Sequence, residues 1–146
     1  MGVPALLVDF PRPGAPDYSE RAKLLGRQWP VFWKVGNNFF RPISTLGIFG
    51  YAFSAYAASK ATAGGVKGDW RIYAVAAVCH LTNVVHSAIN MQPLNEKIEA
   101  LSGSVGEKHE AMAVELAETW IQRNYVRIVC PLIAGTLALF QTAGIA

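Results

Sequence analysis

Charge is what this sequence has least of. Asp, Glu, Lys and Arg make up 16% of its 146 residues, against roughly 25% in an ordinary soluble domain. The shortage is uneven, because positions 42–59, 72–95 and 128–146 contain none of the four types. About 20 mainly apolar residues of helix cross a hydrocarbon core, and each run is of that order. Three such helices in so short a chain leave too little polar surface to cover them in water. The motifs of soluble enzymes are also missing. There is no phosphate-binding glycine loop, no nucleophile elbow, and no Cys or His pair at zinc spacing. His80 and His86 are six residues and so about 120° apart around a helix, and His109 lies in a polar segment, so no metal centre is expected. Cys79 and Cys130 both fall in apolar runs and read as small packing residues, without a disulfide. The first ten residues have no basic region, and Asp9 and Pro11 end their short apolar stretch, so no secretory signal is read there.

What is present predicts an all-α, integral membrane helical bundle in a single domain, residues 1–146. Three spans are expected, at about 42–60, 70–91 and 124–144. Pro4, Pro11, Pro13 and Pro16 make 1–17 an extended segment. Trp29 and Trp33 among Arg27 and Lys34 make 18–40 an interfacial helix, since Trp and basic residues favour the headgroup region. In the first span, Gly47, Gly50, Ser54 and Ala58 suit the close approach of another helix. A glycine-rich turn is expected at 62–68, a polar loop at 91–106, and a helix running unbroken from near Glu107 into the last span. Lys and Arg sit at the edges of the apolar runs: six in 1–41, three in 60–71 and four in 91–127. With three spans, the positive-inside rule places the N-terminus and 91–127 on the cytoplasmic side of an unspecified membrane. The net charge of +3 is thereby read as headgroup anchoring, with no nucleic-acid partner.

The second span carries a polar stripe: His80, Asn83, His86, Ser87 and Asn90 fall within about a third of the helix circumference. Polar groups have no partner in lipid, so the stripe must face the bundle interior or a wet cavity. On the last long helix Trp120, Asn124, Arg127 and Pro131 share one face. Arg127 reads either as snorkelling to the headgroups or as an inward cation for a buried polar group or ligand.

The order of these residues resembles the anthrone oxygenase-like family. Met91-x-Pro93-x-Asn95-x-x-Ile98 is similar to the family's signature after its third span, with Leu94 where the family has Thr. Trp120-x-x-x-Asn124-x-x-Arg127-x-x-x-Pro131 is similar to the signature leading into its fourth, with Asn124 where many fungal members have His. Gln28-Trp29, Trp33, Gly36 and Pro42 resemble the segment between spans one and two, and Trp70-Arg71-Ile72-Tyr73 the start of span three. The resemblance covers about 25–143 and implies a four-helix membrane bundle whose first helix is cut short, with Val3-Pro4-Ala5-Leu6-Leu7 as its end. It also implies cofactor-independent oxidation of an anthrone-type polycyclic aromatic, with O2 as co-substrate. His86, Asn95, Asn124 and Arg127 are then the expected catalytic residues: His86 as base, the two Asn orienting oxygen atoms, and Arg127 stabilising the anion. Trp120, Asn90 and Asn83 are expected to bind the flat substrate. The alternative is a non-catalytic subunit of a larger membrane complex. The expected partners are the lipid bilayer, other membrane subunits or further copies of the chain, and a hydrophobic aromatic small molecule.

Overall fold

The computed structural model describes residues 3–61, 68–103 and 106–143. The chain is all-α, with no strand among the described residues. A 3₁₀ turn over Val3–Leu7 precedes α1 (Tyr18–Lys60), and α2 (Trp70–His86) runs through a π-helical segment, Ser87–Met91, into α3 (Gln92–Glu99). A short 3₁₀ turn (Ala100–Ser102), α4 (Glu107–Glu110) and α5 (Ala113–Ala143) complete the chain. Asp69 caps α2, its carboxylate accepting the Arg71 N–H at 3.0 Å, which satisfies one of the N-terminal donors that a helix leaves open.

The chain divides into two compact units, Met1–Asn38 with Ala88–Tyr125, and Phe39–Ser87 with Val126–Ala146. The first is built as a water-soluble domain is built. On α1, Tyr18, Ala22, Leu25 and Trp29 recur at helical spacing and pack on Met91, Leu94, Ile98 and Leu101 and on Ala113, Leu116, Ala117 and Trp120. Gly26 admits this packing, because a Cβ there would collide with the backbone of Leu101 and Ser102. Around the core lie ion pairs, Lys23 with Glu110 and Lys34 with Glu99, each at 3.5 Å. The Tyr18 hydroxyl donates to the Ala111 carbonyl at 3.0 Å, and burial pushes its phenol above its usual pKa.

The second unit reverses that order. Its buried positions are small or polar: Ser44, Ala55, Tyr73, Ala76, His80, Asn83, Ala134, Ala138 and Gln141. Its large apolar side chains point outward, including Leu46 and Phe53 of α1, each 71% exposed, Val78 of α2, and Leu132 and Leu139 of α5. An apolar coat around a polar interior suits lipid as surroundings, since lipid tails offer no hydrogen bonds to polar groups. Among the described residues, two helical stretches, Trp70–Ser102 and Ala113–Ala143, are long and apolar enough to cross a membrane. The 42–60 run is not among them. It is free of charge over 42–59, yet Ser, Thr, Gly and Tyr dilute its apolarity.

Several expected boundaries move. The interfacial helix at 18–40 and the span at 42–60 form one helix, α1, with Pro30 and Pro42 inside it. Pro42 has no N–H for the Asn38 carbonyl, a defect a helix tolerates when its neighbours hold it. The polar loop expected at 91–106 is largely α3 and the 3₁₀ turn that follows. Pro93 stands in the first turn of α3, where its missing N–H is harmless, and Leu94, Ile98 and Leu101 drive the segment into the first core. The helix expected to run unbroken from Glu107 is interrupted at 111–112. Within 1–17, Val3 is buried and Leu6, Leu7 and Phe10 pack beside it, so the apolar patch belongs to the first core. Of the small residues on α1, Gly47 lies against His80, whereas Gly50 meets no neighbour within 4 Å. The glycine turn expected at 62–68 lies outside the described residues up to position 67.

Candidate functional site

The polar residues singled out in the sequence fall into two groups, one in each unit. In the first unit, Asn95 is at the centre of a buried triad. Its side-chain oxygen accepts the indole N–H of Trp29 at 3.1 Å and that of Trp120 at 2.8 Å. The two indoles meet edge to face, centroids 5.3 Å apart, a favoured geometry for aromatic pairs. Trp29 is 0% exposed and Asn95 2%. The structure thus gives Asn95 and Trp120 work inside the fold: the oxygen is committed to two donors, and Trp120 is packed against Trp29. Trp29 is a core residue instead of an interfacial anchor, and Trp33 donates to Glu99 at 3.2 Å. Asn124 is buried in the same unit. Asn90 is half-buried, and its backbone carbonyl accepts from Arg123 at 3.3 Å.

In the second unit, the stripe on α2 meets polar atoms of α1. The Asn83 amide donates to the Ser44 hydroxyl oxygen at 3.0 Å, and both residues are buried. His80 stacks on Tyr51 with centroids 5.5 Å apart and lies against Gly47. The contacts of Asn83 with Ser44 and of His80 with Gly47 define an antiparallel register between α1 and α2. That register sets His86 level with Arg41, next to the start of the charge-free run 42–59.

His86 is half-buried there. Arg127 of α5 is also half-buried, lies within electrostatic reach of Arg41, and makes no ion pair among the described residues. The only acidic side chain of this unit is Asp69, which engages Arg71. A half-buried guanidinium near a second cation and far in sequence from any carboxylate is a ready acceptor for an anion.

The structure therefore brings His86, Asn83 and Arg127 into one unit, and Asn90, Asn95, Trp120 and Asn124 into the other. The π-helical segment Ser87–Met91 falls where the α2 stripe passes between the groups. Its wider turn takes Asn90 out of the α-helical register on which the stripe was read. Ser44, Tyr51 and Arg41 were missed by the sequence reading. The signal for Ser44 was available, since a buried Asn on a membrane helix requires a partner on a neighbouring one. Among the described residues, no group of three or more His, Cys, Asp or Glu side chains could hold a metal ion, and Cys79 and Cys130 are free thiols.

An all-helical protein with one unit coated in apolar side chains around polar ones is a membrane-associated protein. Comparison with known families makes the assignment specific: the family model described as anthrone oxygenase matches residues 29–137. The match covers most of the chain, which belongs to the anthrone oxygenase family. No curated protein and no solved structure matches it significantly.

Proposed function

We propose that the chain is a multi-pass membrane oxygenase that oxidises an anthrone-type polycyclic aromatic with O2 and without a bound cofactor. The observation that carries this reading is Arg127: a half-buried cation, unpaired among the described residues, in a unit whose outer surface is apolar. An anthrone's methylene is acidic because its carbanion delocalises over the rings and the ketone. His86 removes that proton, and Arg127 stabilises the oxyanion that results. The electron-rich anion is then oxidised by O2 at the same carbon. One anthrone and one O2 give one anthraquinone and one water. Asn83, whose amide donates to Ser44, lies in the same unit as His86. We assign Asn95 and Trp120 to holding the first core, with Asn124 and Asn90 in the same unit as supporting polar groups.

The charge-free runs 42–59 and 128–146, with residues 72–87 of the run 72–95, fall to the second unit, which supports three spans. The distribution of Lys and Arg supports a cytoplasmic N-terminus and 91–127 segment. Anthrone oxidation by the purified protein in mild detergent tests the chemistry. His86→Ala and Arg127→Ala are each expected to lower kcat by about 10²- to 10³-fold. Unchanged rates in both variants would remove these roles. The second reading, a non-catalytic membrane subunit, draws on the outward row Leu46, Phe49, Phe53 and Tyr56 of α1, which a partner helix could cover as lipid does. The mass of the protein in detergent separates the two readings: a lone 15.8 kDa chain that turns over an anthrone excludes the subunit role.

A further inference from the structure

Cys79 and Cys130 are the only cysteines of the chain, and the reaction above uses neither. They stand on two helices of the second unit, α2 and α5, whose contacts fix how those helices lie side by side. Gly68, just before α2, lies against the Gln141 side chain of α5, so closely that a Cβ there would collide with it. Further along, Tyr73 and Ala138 share one core cluster. Residue numbers therefore rise along α2 as they fall along α5, and the two helices are antiparallel. Continued residue for residue, that register sets Ala76 level with Ala134, and Cys79 level with Cys130, to within a turn.

The faces agree with the level. Ala76, Cys79 and Asn83 recur at i, i+3 and i+7 on α2, and Cys130, Ala134, Ala138 and Gln141 at i, i+4, i+8 and i+11 on α5. Ala76 and Ala134 are each 0% exposed, and Asn83, Ala138 and Gln141 are buried, so both cysteines belong to inward rows. Alanines sealed at one level let helix backbones approach closely. Each thiol stands one turn beyond its alanine, and in antiparallel helices those two turns run the same way. Cys130 also lies within electrostatic reach of Cys79. A disulfide needs Cα atoms about 4.4–6.8 Å apart, a separation that packing through alanine permits.

We propose that Cys79 and Cys130 are a site of reversible oxidative modification, at which an organic hydroperoxide dissolved in the bilayer closes the two thiols into a disulfide that ties α2 to α5. One sulfur attacks the hydroperoxide, its S–O bond forming as the O–O bond breaks, and an alcohol leaves behind a sulfenic acid. The second sulfur then attacks the first, and the sulfenic hydroxyl leaves as water with the second thiol's proton. Two thiols and one hydroperoxide give one disulfide, one alcohol and one water, and the two electrons lost by sulfur reduce the O–O bond. An oxidant soluble in lipid fits the place, because both cysteines lie in charge-free runs and are half-buried, not sealed. The free thiols of this structure are the reduced state of the pair. The bond depends on the packing of the second unit alone, and not on the oxidation of an anthrone.

Cumene hydroperoxide, added to the full chain in detergent micelles, reads the step directly. The intact mass is expected to fall by about 2 Da as two hydrogens are lost, and both thiols to vanish from a titration of the unfolded chain. Dithiothreitol should restore them. The oxidised chain is expected to stay a monomer and to unfold at a Tm about 5–10 °C higher, because the bond closes residues 80–129 into a loop. Phenylarsine oxide, which bridges two thiols only where they stand together, gives a second reading without any oxidation. It is expected to bind the untreated chain and to be lost from Cys79→Ser. A hydroperoxide that leaves both thiols intact, or that couples separate chains, overturns the proposal. So does a disulfide that lowers Tm, since the helices would then have had to move to form it. An untreated chain that binds no arsenical, or a Cys79→Ser variant that still binds it, overturns the pairing of the two thiols.

Discussion

The two units are made from the same helices and sort their side chains in opposite ways. The first keeps Trp29, Leu25, Ile98 and Leu101 inside and most of its Lys, Glu and Asp outside, Glu110 being buried. The second keeps Ser44, His80 and Asn83 inside, with Leu46, Phe53 and Val78 outside. All but six of the charged residues lie in the first unit; the exceptions are Arg41, Lys60, Lys67, Asp69, Arg71 and Arg127. The driving force differs accordingly. Burial of apolar area out of water stabilises the first core, at about 25 cal/mol per Å². In the second, lipid is as apolar as leucine, so association depends on close packing of small residues and on interhelical hydrogen bonds. The same asymmetry separates structure from chemistry. The first unit uses one of its buried polar groups, Asn95, to hold two indoles, whereas the second keeps a buried imidazole whose Nδ1 has no hydrogen-bond partner and a half-buried guanidinium with no ion pair among the described residues.

The strongest break of this comparison is in the first core. Trp29→Ala removes the largest fully buried side chain and one donor to Asn95, and is expected to destabilise the protein by about 3–5 kcal/mol. Denaturation of the purified variant in detergent measures the loss. Retention of wild-type stability would mean that the triad is not the keystone of that unit. Next comes a charge on the coat of the second unit. Leu46→Lys is expected to cost about 2.5–3.5 kcal/mol in membrane insertion if Leu46 faces lipid. Val31→Lys in the first unit, at an equally open position (64% exposed), is expected to change stability by less than about 0.5 kcal/mol. A glycosylation-reporter insertion assay compares the two, and equal effects would erase the contrast.

The contrast also explains what the sequence disclosed. The charge-free runs and the stripe on α2 were legible because lipid and helix geometry each leave a periodic or compositional mark. Residues 91–106 were not, since Met91-Gln92-Pro93-Leu94-Asn95 reads as a polar break. Only the spacing of Leu94, Ile98 and Leu101 shows a buried helical face, and it is short. Trp29 was hidden because tryptophan among basic residues has two explanations, an interfacial anchor or a core residue with its N–H satisfied, and the acceptor that decides between them is 66 residues away. Gly47 stood out as a small residue, but its role depends on a ring on another helix, which no local pattern encodes. The division into two units was not read from the sequence, because α1, the α2–α3 stretch and α5 each contribute to both.

Two glycines refine the comparison at smaller scale, each at a close helix contact in its own unit. Gly26→Ala pushes a methyl group into the backbone of Leu101 and Ser102, which cannot yield without moving the 3₁₀ turn. Gly47→Ala pushes one into the His80 ring, which can rotate away. Overpacking costs about 1–3 kcal/mol, and Gly26→Ala is expected at the upper end and Gly47→Ala at the lower. Thermal unfolding measured on both variants should order them, with the lower Tm for Gly26→Ala. Equal losses in the two variants would mean that the His80 ring yields no more easily than the backbone of Leu101 and Ser102.

The smallest effect separates a hydrogen bond from its setting. Tyr18→Phe keeps the ring against Phe10, where the two meet edge to face at 5.7 Å, and removes the hydroxyl that donates to the Ala111 carbonyl. The net loss for one neutral hydrogen bond is about 0.5–1.5 kcal/mol. The folded phenol has a raised pKa, so its contribution is present below the ordinary tyrosine value, near 10, and is lost as pH rises through the folded value. The stability difference between wild type and Tyr18→Phe should therefore be constant at neutral pH and shrink in alkali. A difference that grows with pH would mean that the hydroxyl is ionised in the folded state. Because the bond lies in the unit with the water-soluble order of polarity, Tyr18→Phe should leave anthrone turnover unchanged at temperatures where the fold holds, which places the chemistry on the other side of the comparison.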